Sequence, residues 1–374
     1  YLEGAPELLD APGEWHLDPA AKRLRWFPPG EEAEELVLAA SPSFFVISGA
    51  RHVAILGLEL VGAVGDAVVL DEASDVLVAR NTILYSGGNA VVVRGGARNR
   101  AAGNDIAHCG AGGIVLNGGD RDTLEPAHHV AVNNHVREVG EVWKTFQAGI
   151  SLSGVGNAAW NNLLHDLPHM AIRFEGNNHL IERNHIYTVC RETSNAGALY
   201  TYGGWAQRGT VIQNNRIHDV YGLGVRPAGT GDEQFTYISP WQAWGIYLDR
   251  AASGTHIASN QLLRIPLAGV MIAGGRDNVI ENNVIVDSVP ALHIDARWES
   301  YRWKELEQAL AALRDNEAYK EHYPQWQSLP EDSQMRQPEG NRFRYNVVDY
   351  RRDDYRGLST TEAVPETAVV YNLD

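Results

Sequence analysis

The chain has 374 residues, of which 44% are hydrophobic and 21% charged, so it can bury one large core and does not resemble a disordered chain. Its formal net charge of −16 and pI near 5.3 argue against binding to nucleic acid or to an acidic membrane surface, since either requires a basic patch. No stretch approaches the roughly 18 to 20 apolar residues of a membrane span, and we expect neither a membrane nor a nucleic acid as a partner.

The first 50 residues contain Trp15, Trp26 and Phe27 but none of the repeat that follows. We expect residues 1–50 to form a cap or the entrance to the first turns of that repeat. The chain begins at Tyr1 without an evident signal segment, and we read it as a mature or trimmed chain.

One short phrase then recurs along the chain: Asn, any residue, and an aliphatic residue. The closest recurrences set a coil of about 22 residues, and longer intervals hold insertions. Such a coil is too short for paired helices and fits one turn of a right-handed parallel β-helix with three short strands. We therefore predict an all-β solenoid whose in-phase asparagines stack as a hydrogen-bonded ladder. The phrase begins at Asn81, Asn104, Asn134, Asn162, Asn184, Asn215, Asn260, Asn283 and Asn346.

A second phrase, a small residue followed by alternating side chains, lies between the asparagines. Its second and fourth residues are mostly aliphatic and are expected to point inward, whereas the third and fifth point outward. The predicted third-position column is Val115, Ser151, Arg173, Leu199, Tyr247, Met271 and His293. The predicted fifth-position column is Asn117, Ser153, Glu175, Thr201, Asp249, Ala273 and Asp295.

Two segments interrupt the coils. Residues 221–243 are rich in glycine and aromatic side chains and are long enough to overhang the strand face as a lid. Residues 299–327 have the pattern of a helical excursion, with Leu306, Leu310 and Leu313 on one face. We expect one β-helix domain over 1–374, comprising the entry 1–50, the main coils 51–298 and the final coil region 340–374.

The two cysteines, Cys109 and Cys190, lie about three coils apart, which is roughly 14 Å at the usual strand spacing. A disulfide needs Cα atoms within about 7 Å, so we predict two free, buried thiols. Neither cysteine has a metal-binding or redox spacing.

Carboxylates concentrate in the later part of the outward columns. Glu175, Asp249 and Asp295 succeed one another at intervals of two coils, or roughly 9 to 10 Å. Glycosidases use two carboxylates, and inverting enzymes hold them about 6.5 to 9.5 Å apart. Three carboxylates beside a guanidinium, a phenol and an imidazole favour a catalytic face over a merely solvated one, and inversion is the expected outcome.

Aromatic and histidine side chains surround these coils. Trp205, Trp241 and Trp244 are suited either to stacking on sugar faces or to packing an insertion. The histidines, including His169, are spread over separate turns without compact metal-ligand spacing, so we expect no metal site and no cofactor. A structural calcium ion stays open, because loops rich in Asp and Asn can coordinate it.

Several segments resemble the β-helix glycosidases of glycoside hydrolase family 141 and close relatives, over most of the chain. The segments are PGEWHLD at 12–18, NAGALY at 195–200, WGIYLD at 244–249, GGRDN at 274–278, ENN at 281–283 and HIDAR at 293–297. The resemblance implies a secreted, extracellular or periplasmic enzyme with α-L-fucosidase or xylanase chemistry on a plant or microbial glycan.

The resemblance also implies two catalytic acids. One is Asp249, and the position of the other, which opens the segment ending Gly-Ala-x-Tyr, holds Asn195. Because an amide cannot transfer a proton as a carboxyl group does, three explanations stay open: an engineered Asp-to-Asn change, replacement by another acid such as Glu192 or Glu175, or glycan binding without cleavage. Arg250 stands where the family often has a further acid.

We therefore predict a glycoside hydrolase that acts on a carbohydrate by a two-carboxylate mechanism; its oligomeric state is not indicated. The catalytic candidates are Asp249, Asn195, Glu175 and Asp295. The substrate-binding candidates are Arg173, His169, Tyr200, Tyr247, Trp205, Trp244, Arg276 and His293. The alternatives are a polysaccharide lyase or epimerase, which the scarcity of lysine in the coils disfavours, and a non-catalytic glycan-binding β-helix.

Overall fold

The computed structural model describes residues 6–28, 30, 37–228, 235–296, 300–330, 335–350, 358–360 and 369–372. Contacts divide the chain into two compact units, 1–40 and 41–374. The first unit holds a 3-10 helix (Pro6–Leu8) and an antiparallel hairpin of β1 (Trp15–Asp18) and β2 (Arg23–Trp26). The predicted boundaries at 1, 298, 299 and 374 and the motif residue Arg297 lie outside the described residues.

The second unit is a parallel β-helix, which confirms the predicted fold. Each coil contributes one strand to each of three parallel sheets. The first sheet contains β3 (Phe45–Ser48), β6 (Val68–Asp71), β9 (Val91–Arg94), β12 (Ile114–Gly118), β15 (Ala148–Val155), β18 (Met170–Asn177), β21 (Ala196–Tyr202), β26 (Ala243–Asp249), β29 (Val270–Ala273), β32 (Leu292–Asp295) and β35 (Leu358–Thr360).

The other two sheets are built from shorter strands. The second sheet contains β4 (Ala54–Leu56), β7 (Leu77–Ala79), β10 (Arg100–Ala102), β13 (Val130–Val132), β16 (Ala158–Trp160), β19 (Leu180–Glu182), β22 (Val211–Gln213), β27 (His256–Ala258), β30 (Val279–Glu281), β33 (Asn341–Arg344) and β36 (Val369–Asn372). The third sheet contains β5 (Glu59–Val61), β8 (Thr82–Leu84), β11 (Asp105–Ala107), β14 (His135–Arg137), β17 (Leu163–His165), β20 (His185–Val189), β23 (Arg216–Val220), β28 (Gln261–Leu263), β31 (Val284–Val286) and β34 (Val347–Asp349).

The asparagine ladder, defined as the nine asparagines from Asn81 to Asn346 that begin the recurring phrase, forms as predicted. The Nδ2 of each of the first eight donates to the Oδ1 of the next ladder residue, at 2.9 to 3.0 Å. The residue before each ladder member has a positive φ, as at Arg80 and Asn282, and together they form the two-residue corner between the second and third sheets. Asn and Gly tolerate this left-handed conformation better than other residues, which explains the recurring Asn-Asn pairs.

A second buried column lies at the corner that precedes the second sheet. There the Nδ1 atoms of His129 and His179 accept the backbone N–H groups of Asn99 and Asn157, both at 3.2 Å. Burial lowers the pKa of each of these two imidazoles to about 4. They are therefore neutral and accept a backbone N–H, as the Oδ1 of an asparagine does at the same position of the column.

The interior is filled by the inward residues of all three sheets, mostly Ile, Val, Leu and Ala. Both cysteines are free and buried within the solenoid, as predicted. Burial raises the pKa of Cys109 to about 11 and also raises the pKa of Cys190. Neither thiol is therefore poised for redox or nucleophilic chemistry.

Two insertions interrupt the succession of coils. A hairpin of β24 (Gly224–Pro227) and β25 (Phe235–Ile238) lies between β23 and β26. Helices α1 (Ser300–Leu313) and α2 (Glu317–His322), followed by a 3-10 helix (Pro324–Ser328), lie between β32 and β33, where a helical excursion was predicted. None of the described helices is long and apolar enough to cross a membrane.

Candidate active site

The outward face of the first sheet carries the predicted columns, with one correction in β21. Leu199, predicted in the third position, pairs with Ile246 and points inward. Tyr200 takes the outward third position and Tyr202 the fifth, while Thr201, predicted outward, is buried. The strand begins with three small residues in a row, and the sequence pattern does not indicate which of them occupies the usual glycine position.

Asp249 lies at the end of β26 and is 9% exposed. The Tyr200 hydroxyl donates to its Oδ2 at 2.9 Å, and the backbone N–H of Arg250 donates to its Oδ1 at 2.7 Å. Burial, with the nearby carboxylate of Asp249, raises the pKa of Tyr200, so that phenol remains a donor at neutral pH. These two hydrogen bonds, one to each oxygen, fix the orientation of the Asp249 carboxyl group.

Glu175 occupies the equivalent position of β18. Arg173, two residues earlier in the same outward row, donates from Nε to the Glu175 Oε1 at 2.9 Å and also contacts it through its terminal nitrogen. The two side chains are about one-third exposed, so Glu175 faces solvent while it is held by the guanidinium. The predicted proximity of Arg173 and Glu175 is thus present in the structure.

Asp295 and His293 both belong to β32, and Asp295 is deeply buried. The His293 Nε2 lies 3.9 Å from the Asp295 Oδ2. Arg276, three residues beyond β29, lies with its Nε 3.6 Å from an Asp277 oxygen and is almost completely buried. These side chains lie in and beside the strands predicted for them. The burial of Asp295 and Arg276 favours a supporting role, whereas the His293 side chain is 24% exposed.

The strand order sets the separation of the three carboxylates. Tyr202 lies between Glu175 and Asp249, and Ala273 lies between Asp249 and Asp295. Each pair of carboxylates is therefore two strands apart, or about 9 to 10 Å between backbones. This agrees with the predicted spacing.

Three of the predicted sugar-binding aromatics pack against each other on this face. Trp244 and Tyr247 have ring centroids 4.4 Å apart, and Tyr247 meets Tyr200 edge-on at 5.3 Å. They form a buried cluster with Met170 and Met271, and each of the three aromatic residues is less than 10% exposed. The cluster packs around Tyr200, whose hydroxyl holds Asp249, so its aromatic residues support the site by packing beside it.

Trp205 is part of a different cluster. It is 1% exposed and stacks on Trp303 of α1, with centroids 5.4 Å apart and an interplanar angle of 14°. Leu306, Leu310 and Tyr319 complete this cluster. Of the two uses proposed for Trp205, the structure therefore favours packing of an insertion over stacking on a sugar.

Asn195 and His169 lie at the opposite end of the strands from Asp249. Asn195 directly precedes β21, and the residue of β21 that pairs with Asp249 is Tyr202, seven positions later. At about 3.3 Å per residue, Asn195 and Asp249 are on the order of 20 Å apart, too far for one pair of catalytic groups. The structure therefore does not bring together the two positions that the family resemblance implied.

His169 directly precedes β18, and its Nδ1 lies 2.5 Å from the Thr193 hydroxyl. That hydroxyl donates to the Pro168 carbonyl at 2.8 Å, so His169 is the donor in the first contact. Burial lowers the pKa of His169 to about 4, with a further lowering by Arg173. His169 is a neutral imidazole at the strand starts, separated from the carboxylate column.

The two insertions border this face at opposite edges. The hairpin enters just before β26 begins, and α1 follows just after β32 ends. Arg250, the residue after Asp249, forms an ion pair with Glu305 of α1 and lies 4.8 Å above the Tyr202 ring. The carboxylate column therefore runs beside the helical insertion.

Sequence reasoning missed Tyr202 and the role of Arg250. The predicted register of β21 was wrong by one residue, and Tyr202 was therefore not predicted on the outward face. The run of small residues at the start of the strand was a signal that the register was ambiguous. Arg250 was noted only as a departure from the family pattern. In the structure its backbone holds Asp249 and its side chain ties the column to the insertion.

Among the residues that the structure describes, no group of three or more His, Cys, Asp or Glu side chains could hold a metal ion. The expectation of no metal site and no cofactor stays a prediction. The structural calcium ion considered from the sequence stays untested, because carbonyl oxygens also coordinate calcium.

Comparison with known proteins supports the fold. A family model described as "Right handed beta helix region" matches residues 43–128 and 148–296, more than half of the chain. No curated protein matches the sequence. A solved structure named "Glycoside hydrolase" is similar with a TM-score of 0.38 and 14% identity, over 78% of this chain and 57% of that one.

Proposed function

The chain belongs to the right-handed β-helix family, and from the carboxylate column on its first sheet we propose that it is a glycoside hydrolase. The observation that carries the proposal is that Glu175 and Asp249 lie two strands apart on one outward face. Each is held by a different kind of partner. Two carboxyl groups in unlike surroundings are what acid–base cleavage of a glycosidic bond requires.

Glu175 is assigned the general base. It forms an ion pair with Arg173, and a general base acts as a carboxylate, the form that removes a proton from water. Its partial exposure gives a water molecule access. The same guanidinium keeps one carboxylate oxygen in a fixed direction, because its Nε donates to Oε1.

Asp249 is assigned the general acid. It is 9% exposed beside a buried aromatic cluster, so its carboxyl group is largely shielded from bulk water. The Tyr200 hydroxyl on Oδ2 and the Arg250 amide on Oδ1 orient the group toward the face. A separation of about 9 to 10 Å between backbones leaves room for a water molecule, so we expect inversion at the anomeric carbon.

Family 141-like fucosidase or xylanase chemistry remains part of the proposal through the sequence resemblance. The substrate is a plant or microbial glycan, and the resemblance also implies a secreted enzyme. Asn195 is not part of the mechanism proposed here, because it lies on the order of 20 Å from Asp249 along the strands. An engineered or natural Asp-to-Asn change at that position is then irrelevant to proton transfer.

The test measures hydrolysis by the parent protein and by Asp249→Ala and Glu175→Ala. Fucosylated oligosaccharides, xylans and polyuronates serve as substrates, with nitrophenyl glycosides of the sugar that is cleaved. Loss of a general acid or base should lower the rate on the natural glycan by about 10²- to 10⁴-fold. Asp249→Ala should retain activity on the nitrophenyl glycoside, whose leaving group needs no proton, whereas Glu175→Ala should lose activity on both substrates.

The matched control is Ser153→Ala, which changes an earlier residue of the same outward column and should leave the rate unchanged. Asn195→Asp should also have no effect. Parent-like rates for Asp249→Ala would contradict the assignment, and release of unsaturated products would favour a lyase. A parent protein that binds a glycan of the panel but cleaves none would replace the hydrolase with a glycan-binding protein.

A further inference from the structure

The outward face of the second sheet carries one exposed aromatic side chain. Trp160 ends β16, is 40% exposed, and pairs in register with Val132 on one side and Glu182 on the other. From β4 to β33, no other Trp, Tyr or Phe occupies an outward position of this sheet in the described chain. A large indole on an outward face is not needed to fill the core of the solenoid.

Trp160 lies in a groove of about 380 Å³ that crosses four consecutive coils. The groove extends over three strand spacings, or about 14 Å. Its other side chains are mostly polar, and three of them stand at the exposed left-handed corners that precede the ladder. The polar lining is Arg100, Asn133, Asn161, Glu182 and Arg183.

The polar groups are arranged along the groove. Asn161 donates from Nδ2 to the Asn133 Oδ1 at 2.7 Å. This bond leaves the Asn133 amide, the second lone pair of the Asn133 carbonyl and the Asn161 carbonyl oxygen available to a ligand. Glu182 lies 3.6 Å from the Arg183 Nε and accepts from Asn214 at 3.4 Å. The groove therefore presents donors and acceptors on both sides of an indole face.

We propose that this groove is a second glycan-binding site, distinct from the candidate active face, and that it holds an extended oligosaccharide parallel to the solenoid axis. A sugar ring has an apolar C–H face that stacks on indole and a rim of hydroxyl groups that pair with carboxamides, carboxylates and guanidinium groups. The length of a pyranose ring is comparable with the coil spacing of about 4.8 Å, so successive rings meet equivalent corners. The inference takes its ligand class from the proposed function but uses none of the same residues.

The competing interpretation is that Trp160 only covers the sheet. In that case its removal changes stability and leaves glycan binding unchanged. The glycan interpretation instead requires that binding depend on an aromatic ring at this position, so that Trp160→Phe retains part of the affinity that Trp160→Ala loses.

The test is calorimetric titration of the full chain carrying Asp249→Ala, with six-unit xylan, cellulose and polygalacturonate oligosaccharides as probes. We expect at least one probe to bind, and adding Trp160→Ala to weaken that binding at least tenfold. Trp160→Phe should weaken it less. The matched control is Trp143→Ala, because Trp143 is an exposed tryptophan outside the groove, and it should bind as tightly as the Asp249→Ala chain.

Equal affinity with and without Trp160→Ala, in chains with the same far-UV circular dichroism, would overturn the proposal, and so would a failure of every probe to bind. These outcomes are separate from the hydrolase test, which measures turnover. In an active parent protein, Trp160→Ala should reduce the rate on polymeric glycan and leave the rate on the nitrophenyl glycoside unchanged. A fall in both rates would count against a remote binding site.

Discussion

At the scale of single residues, the asparagine ladder concentrates many hydrogen bonds on one side chain. Asn283 donates from Nδ2 to the Asn346 Oδ1 at 2.9 Å and to the Ile257 carbonyl at 3.0 Å. Its Oδ1 accepts both the backbone N–H and the Nδ2 of Asn260. Because these groups are buried, removing the carboxamide leaves several of them without a partner.

Asn283→Ala should therefore lower the free energy of unfolding by about 2 to 3 kcal/mol, since each buried group left unpaired is costly. Urea denaturation followed by circular dichroism measures this change. Asn282→Gly is the control: Asn282 is exposed with a φ of 56°, which glycine adopts without strain, and we expect a change within about 0.5 kcal/mol. A similar loss in both variants would contradict the role given to the ladder.

The ladder was predictable from the sequence because its signal is local and repeated. The phrase that begins at Asn81 recurs in phase, and a single hydrogen-bond geometry satisfies every copy. The Tyr200–Asp249 hydrogen bond was not predictable in the same way. It depends on the registration of β21 against β26, and a shift of one residue turns every side chain to the other face.

At the scale of elements, the helical insertion is attached to the solenoid through aromatic stacking. Trp205 follows β21 and Trp303 belongs to α1, and their rings lie nearly parallel. The ion pair between Arg250 and Glu305 is a second attachment, in which the Glu305 side chain is mostly exposed. An exposed ion pair contributes little, so the buried stack should dominate the attachment.

Trp205→Leu should loosen the insertion without unfolding the coils, because leucine keeps an apolar side chain but loses most of the stack. Limited proteolysis with mass spectrometry should show faster cleavage within residues 300–330, while the far-UV circular dichroism of the sheets is retained. Trp143→Leu, which replaces an exposed tryptophan in a loop, should leave the cleavage rate unchanged. Equal protection in Trp205→Leu and the parent would show that other contacts hold the helices.

The insertions illustrate what patterns predict about elements. The helical excursion over 299–327 was predicted because Leu306, Leu310 and Leu313 follow the helical period. In α1, Leu306 and Leu310 belong to the buried cluster around Trp205, and Leu313 packs against it. The packing partner of Trp205 was not predictable, because an aromatic side chain beside a coil can either stack on a sugar or pack against an inserted segment. Its partner Trp303 is distant in sequence, and only the folded chain brings the two rings together.

At the scale of the whole molecule, acidification should act through buried histidines. Burial lowers the pKa of His129, His169 and His179 to about 4, below the value of about 6.5 in an unfolded chain. Above pH 6.5 both states hold neutral imidazoles. As the pH falls from about 6.5 to 4, the unfolded chain binds protons that the folded chain does not, so stability is lost in this window.

Replacing His129 and His179 with asparagine should reduce this acid sensitivity, since Asn99 and Asn157 already occupy the same column. For each histidine, the loss of unfolding free energy between pH 7 and pH 5 should shrink by about 2 kcal/mol. Urea denaturation at the two pH values measures it. His128→Asn is the control, because that neighbour is exposed and has a φ of 58°; an identical pH dependence in all variants would contradict the assignment.

The solenoid as a whole was predictable, whereas the pairing of distant positions was not. The segment around Asn195 resembles a family segment in which that position holds a catalytic acid. The resemblance does not indicate at which end of its strand the position lies. The coils place Asn195 before a strand and Asp249 at the end of the next one, and strand length then separates them. Glu175, identified by its column, is the partly exposed carboxylate that lies two strands from Asp249.

All side-chain hydrogen bonds between ladder asparagines run in the same direction, so the solenoid could be lengthened by whole coils. Along the ladder, each carboxamide donates to the next asparagine toward the C-terminus and accepts from the preceding asparagine. A segment copied from one ladder residue up to the next therefore carries a complete set of donors and acceptors. A duplicated segment of this kind would restore every bond that its insertion interrupts. Inserted between the coils of two different sites, such a segment would move the sites apart along the axis by one coil spacing of about 4.8 Å. The side chains within each site would be unchanged.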